Sequence, residues 1–346
     1  MNENKNKSFF IKIIISVILL IFSFILSIFI GSKHLSFSQI IQAFKDKSSF
    51  PHTILFTLRL PRSLLAVISG ALLASSGACF QRFFRNSLAE PGIIGISSAA
   101  TLGAILSTLF INASTATGFC AILFRFVNPL NFFGFLGALA AGFVISFIAS
   151  KSKGQNSITV LLCGTALGTF YATLSSIILL TQSDNLHGIY TWILGSFNGR
   201  GWSELGFITI PSILSLVIMY LCSSRLDLMI CGEDSASLLG ADVGKLRIWI
   251  LISASLAVSA SVCAGGTINF VGLIAPHLVR KVFGTKYLNG ARLITLSMIF
   301  GAILVVLSDS LARILIAPSE LPAGFLTSLL GAPFFISLLF KRPEDK

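Results

Sequence analysis

Long apolar runs, separated by short polar stretches, limit what this chain of 346 residues can become. Crossing roughly 30 Å of hydrocarbon takes about 20 apolar residues in a helix. Such runs cover 9–30, 63–81, 93–111, 131–149, 158–180, 205–222, 247–264, 291–308 and 321–340. A shorter run, 270–283, contains Pro276 and His277. Lipid offers no partner to an open backbone N–H or C=O, so each run is expected as a helix. Only 11% of the chain is charged and 54% is hydrophobic, whereas a soluble domain carries about a quarter charged residues. The expectation is an all-α polytopic membrane protein, one domain over 1–346, with about ten transmembrane helices. The first run is too long for a signal peptide and no small-residue cleavage site follows it, so it reads as a retained span. Residues 118–130 are apolar but broken by Arg125 and Pro129, and are expected at the interface.

Lys and Arg set the orientation. With the N-terminus inside and spans alternating, 17 of the 25 basic residues fall on the inner side and 8 on the outer side. That bias predicts two cytoplasmic termini in a cytoplasmic (inner) membrane. The net charge of +12 is therefore a topology signal; no basic, aromatic-laced soluble segment points to nucleic acid.

Between the run boundaries, Asp, Glu, Lys and Arg are nearly missing: Lys12 lies near one end of the first run, Arg247 and Arg292 at the very starts of the seventh and ninth, and Arg280 and Lys281 at the end of the eighth. Ion-driven carriers and pumps usually hold a carboxylate or histidine relay at membrane depth. Here only His277 could serve, and a lone His in an apolar run is more often a packing residue. Small residues such as Gly70, Ala74, Ser76 and Gly77, or Gly134, Gly137 and Gly142, allow close helix approach instead. The six cysteines show no metal spacing, and no disulfide framework or cofactor is expected.

One interruption differs from the other loops. Residues 225–247 join two runs and hold Asp227, Glu233, Asp234 and Asp242, in a chain with only 13 acids. Gly232 opens a short helix there. Glu233 and Asp234 fill its first turn, where acids suit the positive end of the helix dipole. Ala236, Leu238 and Leu239 give it a small apolar face, and Gly240 fits the residue just past its end. A helix resting on headgroups would carry Lys and Arg on its polar face. The acids favour a docking knob for a soluble partner.

Other motifs mark helix ends. Arg59-Leu60-Pro61-Arg62 puts two arginines on the outer side, against the bias. They either anchor the interface or capture carboxylates of an extracytoplasmic partner. Asn86–Gly92 reads as a tight turn that restarts a helix at Pro91, and 265–277 as a Gly-rich re-entry. Asp309 and Arg313 stand four apart and could pair with each other.

Taken together, these segments resemble the FecCD family of ABC importer permeases for iron–siderophore complexes, haem and cobalamin. The matching residues are RLPR (59–62), Ser76-Gly77 with Gln81, RNSLAEPGIIGISS (85–98), GEDSASLLG (232–240), AGGTINFVGLIAPHLVR (264–280), SDSLAR (308–313) and ELPAGFLTSLLGAPFF (320–335). They run in order from about residue 50 onward. Ser87 departs from the usual Asn-Pro-Leu-Ala run and Ser308 from the usual Ala-Asp, and 112–130 fits loosely. The resemblance implies ten spans per chain, a homodimer of permeases, and two cytoplasmic ATPase subunits docked on the loop after the sixth span. Gly232, Glu233, Ala236, Leu239 and Gly240 then occupy the coupling-helix positions. Arg59, Arg62 and Arg313 would meet glutamates of an extracytoplasmic substrate-binding protein.

The chain is expected to be no enzyme, since it has no GxxxxGK[ST] phosphate loop. Two other readings stay open: a self-sufficient secondary carrier, and an ABC permease for a bare zinc or manganese ion. The second would need His or carboxylate ligands along the path.

Overall fold

The computed structural model describes residues 2–31, 36–113, 127–151, 157–180 and 186–340, and the described residues are helical or in turns, with no strand. Fourteen α-helices occur among them. The first five are α1 (Asn2–Phe29), α2 (Phe37–Lys45), α3 (Phe50–His52), α4 (Leu60–Phe83) and α5 (Ile96–Ala113). The next five are α6 (Pro129–Lys151), α7 (Ser157–Leu180), α8 (Leu186–Ile193), α9 (Trp202–Leu228) and α10 (Glu233–Leu238). The last four are α11 (Val243–Gly265), α12 (Val271–Phe283), α13 (Gly290–Ala312) and α14 (Ala323–Leu339).

A helix coincides with each of the ten apolar runs. Seven stretches are long and apolar enough to cross a bilayer, and Ile96–Thr108 and Ala323–Leu338 are shorter apolar helices. Several helices outrun the apolar boundaries. α13 continues through Asp309, and α4 is led in by a π-helical turn over Thr53–Arg59. Ionised groups therefore do lie inside these helices, at their ends, beyond the apolar runs. Most of the expected interfacial stretch, 118–126, lies outside the described residues, and Pro129 already opens α6.

Helices α4 and α11 form the centre; 78% of each apolar window is buried, against 11% in α1 and 17% in α7. α4 packs along α13 and α12, and α11 packs on α6, α9 and α4. The large exposed side chains of α1 and α7 include the apolar Ile14, Phe22, Phe170 and Ile177. Small residues bring the central backbones together. A Cβ on Gly77 would lie 2.0 Å from the Gly272 carbonyl oxygen, so α4 and α12 touch backbone to backbone there.

α12 is only 13 residues long. The chain leaves α11 at Gly266 (φ +72°), turns through Phe270 (φ +66°) and starts α12 against Gly77 of α4. Gln81 fixes that start by donating from Nε2 to the Gly272 carbonyl at 3.1 Å. The Gly-rich re-entry expected from sequence is thus a half-helix seated between α4 and the α13–α14 side.

Candidate functional site

Two polar constellations occupy opposite ends of α4, whose 24 residues place them about 36 Å apart at 1.5 Å per residue.

The first surrounds α10. Gly232 precedes it with φ +105°, and Gly240 follows with φ +89°. Gly240 donates to Ser237 and Ala241 donates to Ala236, the paired bonds of a Schellman end, which asks for a left-handed residue at Gly240. Ala236 is fully buried, while Leu238 is 89% and Leu239 61% exposed. The helix therefore stands on Ala236 and presents two leucines outward. Glu233 is drawn back by Arg247 of α11, Nη2 to Oε2 at 3.2 Å. Asp242 caps α11 by accepting from the Lys245 N–H at 3.0 Å. That backbone bond, with the Lys245 side chain, holds the Asp242 carboxyl below its ordinary range.

The base of this hairpin is clamped. Asp227, at the end of α9, pairs with Arg82 Nη2 of α4 and accepts from the Gly290 N–H at 2.7 Å. Three helices, α9, α4 and α13, thus meet at one carboxylate, six residues before α10 in the chain. Sequence reading counted Asp227 as one more acid of the interruption. Its role needed long-range contacts, separated by 145 and 63 residues, that no local pattern signals.

The second constellation lies at the start of α4. Arg62 donates to Asp309 from Nε and Nη2, the latter at 2.8 Å, and to Glu320 from Nη1 at 2.7 Å. Arg313 pairs with the same Asp309 and donates to the Ser27 carbonyl at 2.9 Å. Arg59 donates to the carbonyls of Phe29 and Ile28 at 2.8 and 3.2 Å. Arg59 and Arg313 so satisfy the last carbonyls of α1, which a helix C-terminus leaves unpaired. All three arginines are buried, at 7%, 8% and 2% exposure. The structure brings together the outer arginines singled out from sequence, and it seats them inward. The Asp309–Arg313 pair foreseen from the i,i+4 spacing is present, and Arg62 joins it. Glu320 is the most open member, with its side chain 19% exposed.

Two residues join the ends to the middle. His277 donates from Nε2 to the Ser87 carbonyl at 2.9 Å, a packing role that ties α12 to the turn after α4. Glu90, 8% exposed, turns back against the start of α12; a Cβ on Gly272 would meet its Oε1 at 3.3 Å. A carboxylate there suits the positive end of α12.

The chain is similar to the vitamin B12 import system permease protein BtuC of Vibrio parahaemolyticus, 34% identical, covering 96% of this chain and 95% of that one. It is similar to the Fe(3+) dicitrate transport system permease protein FecD of Escherichia coli, 35% identical, covering 83% and 85%. Among solved structures, a metal-chelate type ABC transporter in an inward-facing conformation superposes with a TM-score of 0.79 at 31% identity, covering 94% of this chain and 98% of the other. Residues 19–341 match the FecCD transport family. This multi-pass membrane protein belongs to the FecCD transport family.

Proposed function

We propose that the chain is the permease subunit of an ABC importer in the cytoplasmic membrane, carrying a chelate of the iron–siderophore, haem or cobalamin kind. The observation that supports this most is α10: a short helix clamped at its base through Asp227 and exposing Leu238 and Leu239. Such a helix serves as a lever for a partner that hydrolyses ATP; the chain supplies the conduit. On this reading Gly232, Glu233, Ala236, Leu239 and Gly240 form the coupling site. α10 faces the cytosol together with the start of α1, whose Lys12 donates to the Val282 carbonyl at the same end of the bundle. The permease pairs with a second copy of itself, and ten spans place both termini in the cytoplasm.

The opposite end receives the substrate-binding protein. Arg59, Arg62 and Arg313 are the docking cations, and Arg62 is the one a partner glutamate reaches first, by displacing Glu320. Surface ion pairs are worth about 0–1 kcal/mol, so Glu320→Gln tightens docking by up to about fivefold, readable by surface plasmon resonance on nanodiscs. Unchanged or weaker docking removes the exchange model.

Cargo class is tested by loading the binding protein encoded beside this chain and following ATP hydrolysis by the assembled transporter. A chelate or corrinoid is expected to stimulate it. Stimulation by bare zinc or manganese alone would instead support the metal-ion reading.

A further inference from the structure

A cavity of about 380 Å³ opens beside the coupling hairpin, where the ends of α4 and α12 face the α12–α13 connection. Arg82, Arg85 and Arg280 line it, with Thr285 on one wall and Ile230 and Leu288 closing its apolar side. Asp227, the ion-pair partner of Arg82, is already shared with the Gly290 N–H. Arg280 donates once, from Nη1 to Gln81 Oε1 at 2.6 Å. Arg85 is exposed, and its guanidinium makes no hydrogen bond or ion pair among the described residues. Arg82 Nε is buried with no hydrogen-bond partner.

Arg82 and Arg280 sit in the last turns of α4 and α12. A helix end offsets roughly half a charge. With two helix ends and Asp227 set against three guanidiniums, roughly one positive charge stays uncompensated. Guanidinium forks bind carboxylate and phosphate with two parallel bonds. Forks converging from α4 and α12 suit an anion with several acceptor oxygens, and a hydroxyl from Thr285 adds a neutral donor. The cavity also has aliphatic residues beside its cations, which is the make-up of basic pockets that hold anionic lipid headgroups between transmembrane helices.

We propose that Arg85 and Arg280 form a seat for a phosphate group next to the coupling hairpin. The phosphate comes from an anionic phospholipid headgroup or from a free phosphate. The seat adjoins the lever: a Cβ on Gly232 would lie 3.3 Å from Arg85 Nη1, so an anion that draws Arg85 into the cavity moves it away from Gly232. Occupancy thereby sets how freely the hairpin turns at Gly232.

The test is native mass spectrometry of the purified full chain with dioleoyl phosphatidylglycerol, dioleoyl phosphatidylcholine or inorganic phosphate. Phosphatidylglycerol is expected to be retained over phosphatidylcholine. Losing one charge-assisted contact lowers retention by about tenfold in R85Q, while R85K keeps most of it. R85Q removes an exposed side chain that makes no bond within the fold, so its folding is preserved; a matching thermal midpoint verifies this. Retention of the lipid against millimolar phosphate assigns the headgroup as source; displacement by phosphate assigns the free anion. Equal retention by wild type and R85Q overturns the proposal. It is equally overturned if neither lipid nor phosphate binds while R85Q weakens affinity for the ATPase, because the cavity then takes an acidic side chain of that partner.

Discussion

Asp309 decides more than any other single side chain. It is fully buried and pairs with Arg62 and Arg313 at once. Removing one member of a buried pair costs about 3–5 kcal/mol, since the remaining charges stay buried without a counter-ion. Asp309→Asn is therefore expected to lower thermal stability in detergent by that order, whereas Glu320→Gln, at the open rim, shifts it by about 1 kcal/mol or less. Equal effects of the two substitutions would show that the network is solvated. Sequence spacing made the Asp309–Arg313 pair legible because both lie on one helix face. Arg62 lies 247 residues away, and nothing local connects it to Asp309. The outer arginines were legible as anomalies against the charge bias. That they turn inward, onto α1 carbonyls and Asp309, depends on how α1, α4 and α13 converge.

At the scale of elements, α10 was readable almost residue by residue. Gly232 and Gly240 both take positive φ, and the acids occupy the first turn. These are local requirements of a short helix, so local sequence carries them. The apolar face divides in a way the pattern did not reveal: Ala236 is buried and Leu238 and Leu239 point out. A β-carbon at a position with φ +89° is strained, and Gly240→Leu is expected to disorder the Schellman end. Leu239→Asp leaves that end intact and removes apolar contact. Both are expected to reduce transport at least tenfold with normal membrane insertion, measured as cargo uptake by whole cells against permease abundance. Uptake unchanged in both would take the coupling role away from α10. The helix ends elsewhere were less legible. Apolar runs stop where charge begins, but α13 and α4 run on because their terminal charges are paired inside the bundle. The half-helix α12 was visible as a Gly-rich re-entry, since Gly266 and Gly272 answer backbone geometry directly.

The whole molecule separates its tasks along one axis. α4 and α11 supply a buried, tightly packed centre, α1 and α7 lie on its outside, and ionised groups gather at the two ends of α4. Apolar periodicity and length fixed the all-helical membrane class, because lipid leaves few alternatives. Assembly with other subunits is a different matter, since surfaces for partners look like any lipid or solvent face until the partner is present. On the proposed function, this chain is moved from outside through α10. Accumulation of chelate in proteoliposomes measures this directly. With the chain alone, under an imposed proton or sodium gradient, no uphill uptake is expected. With the ATPase, binding protein and ATP added, uptake is expected to begin. Uphill accumulation by the chain alone, driven by an ion gradient, would contradict the account.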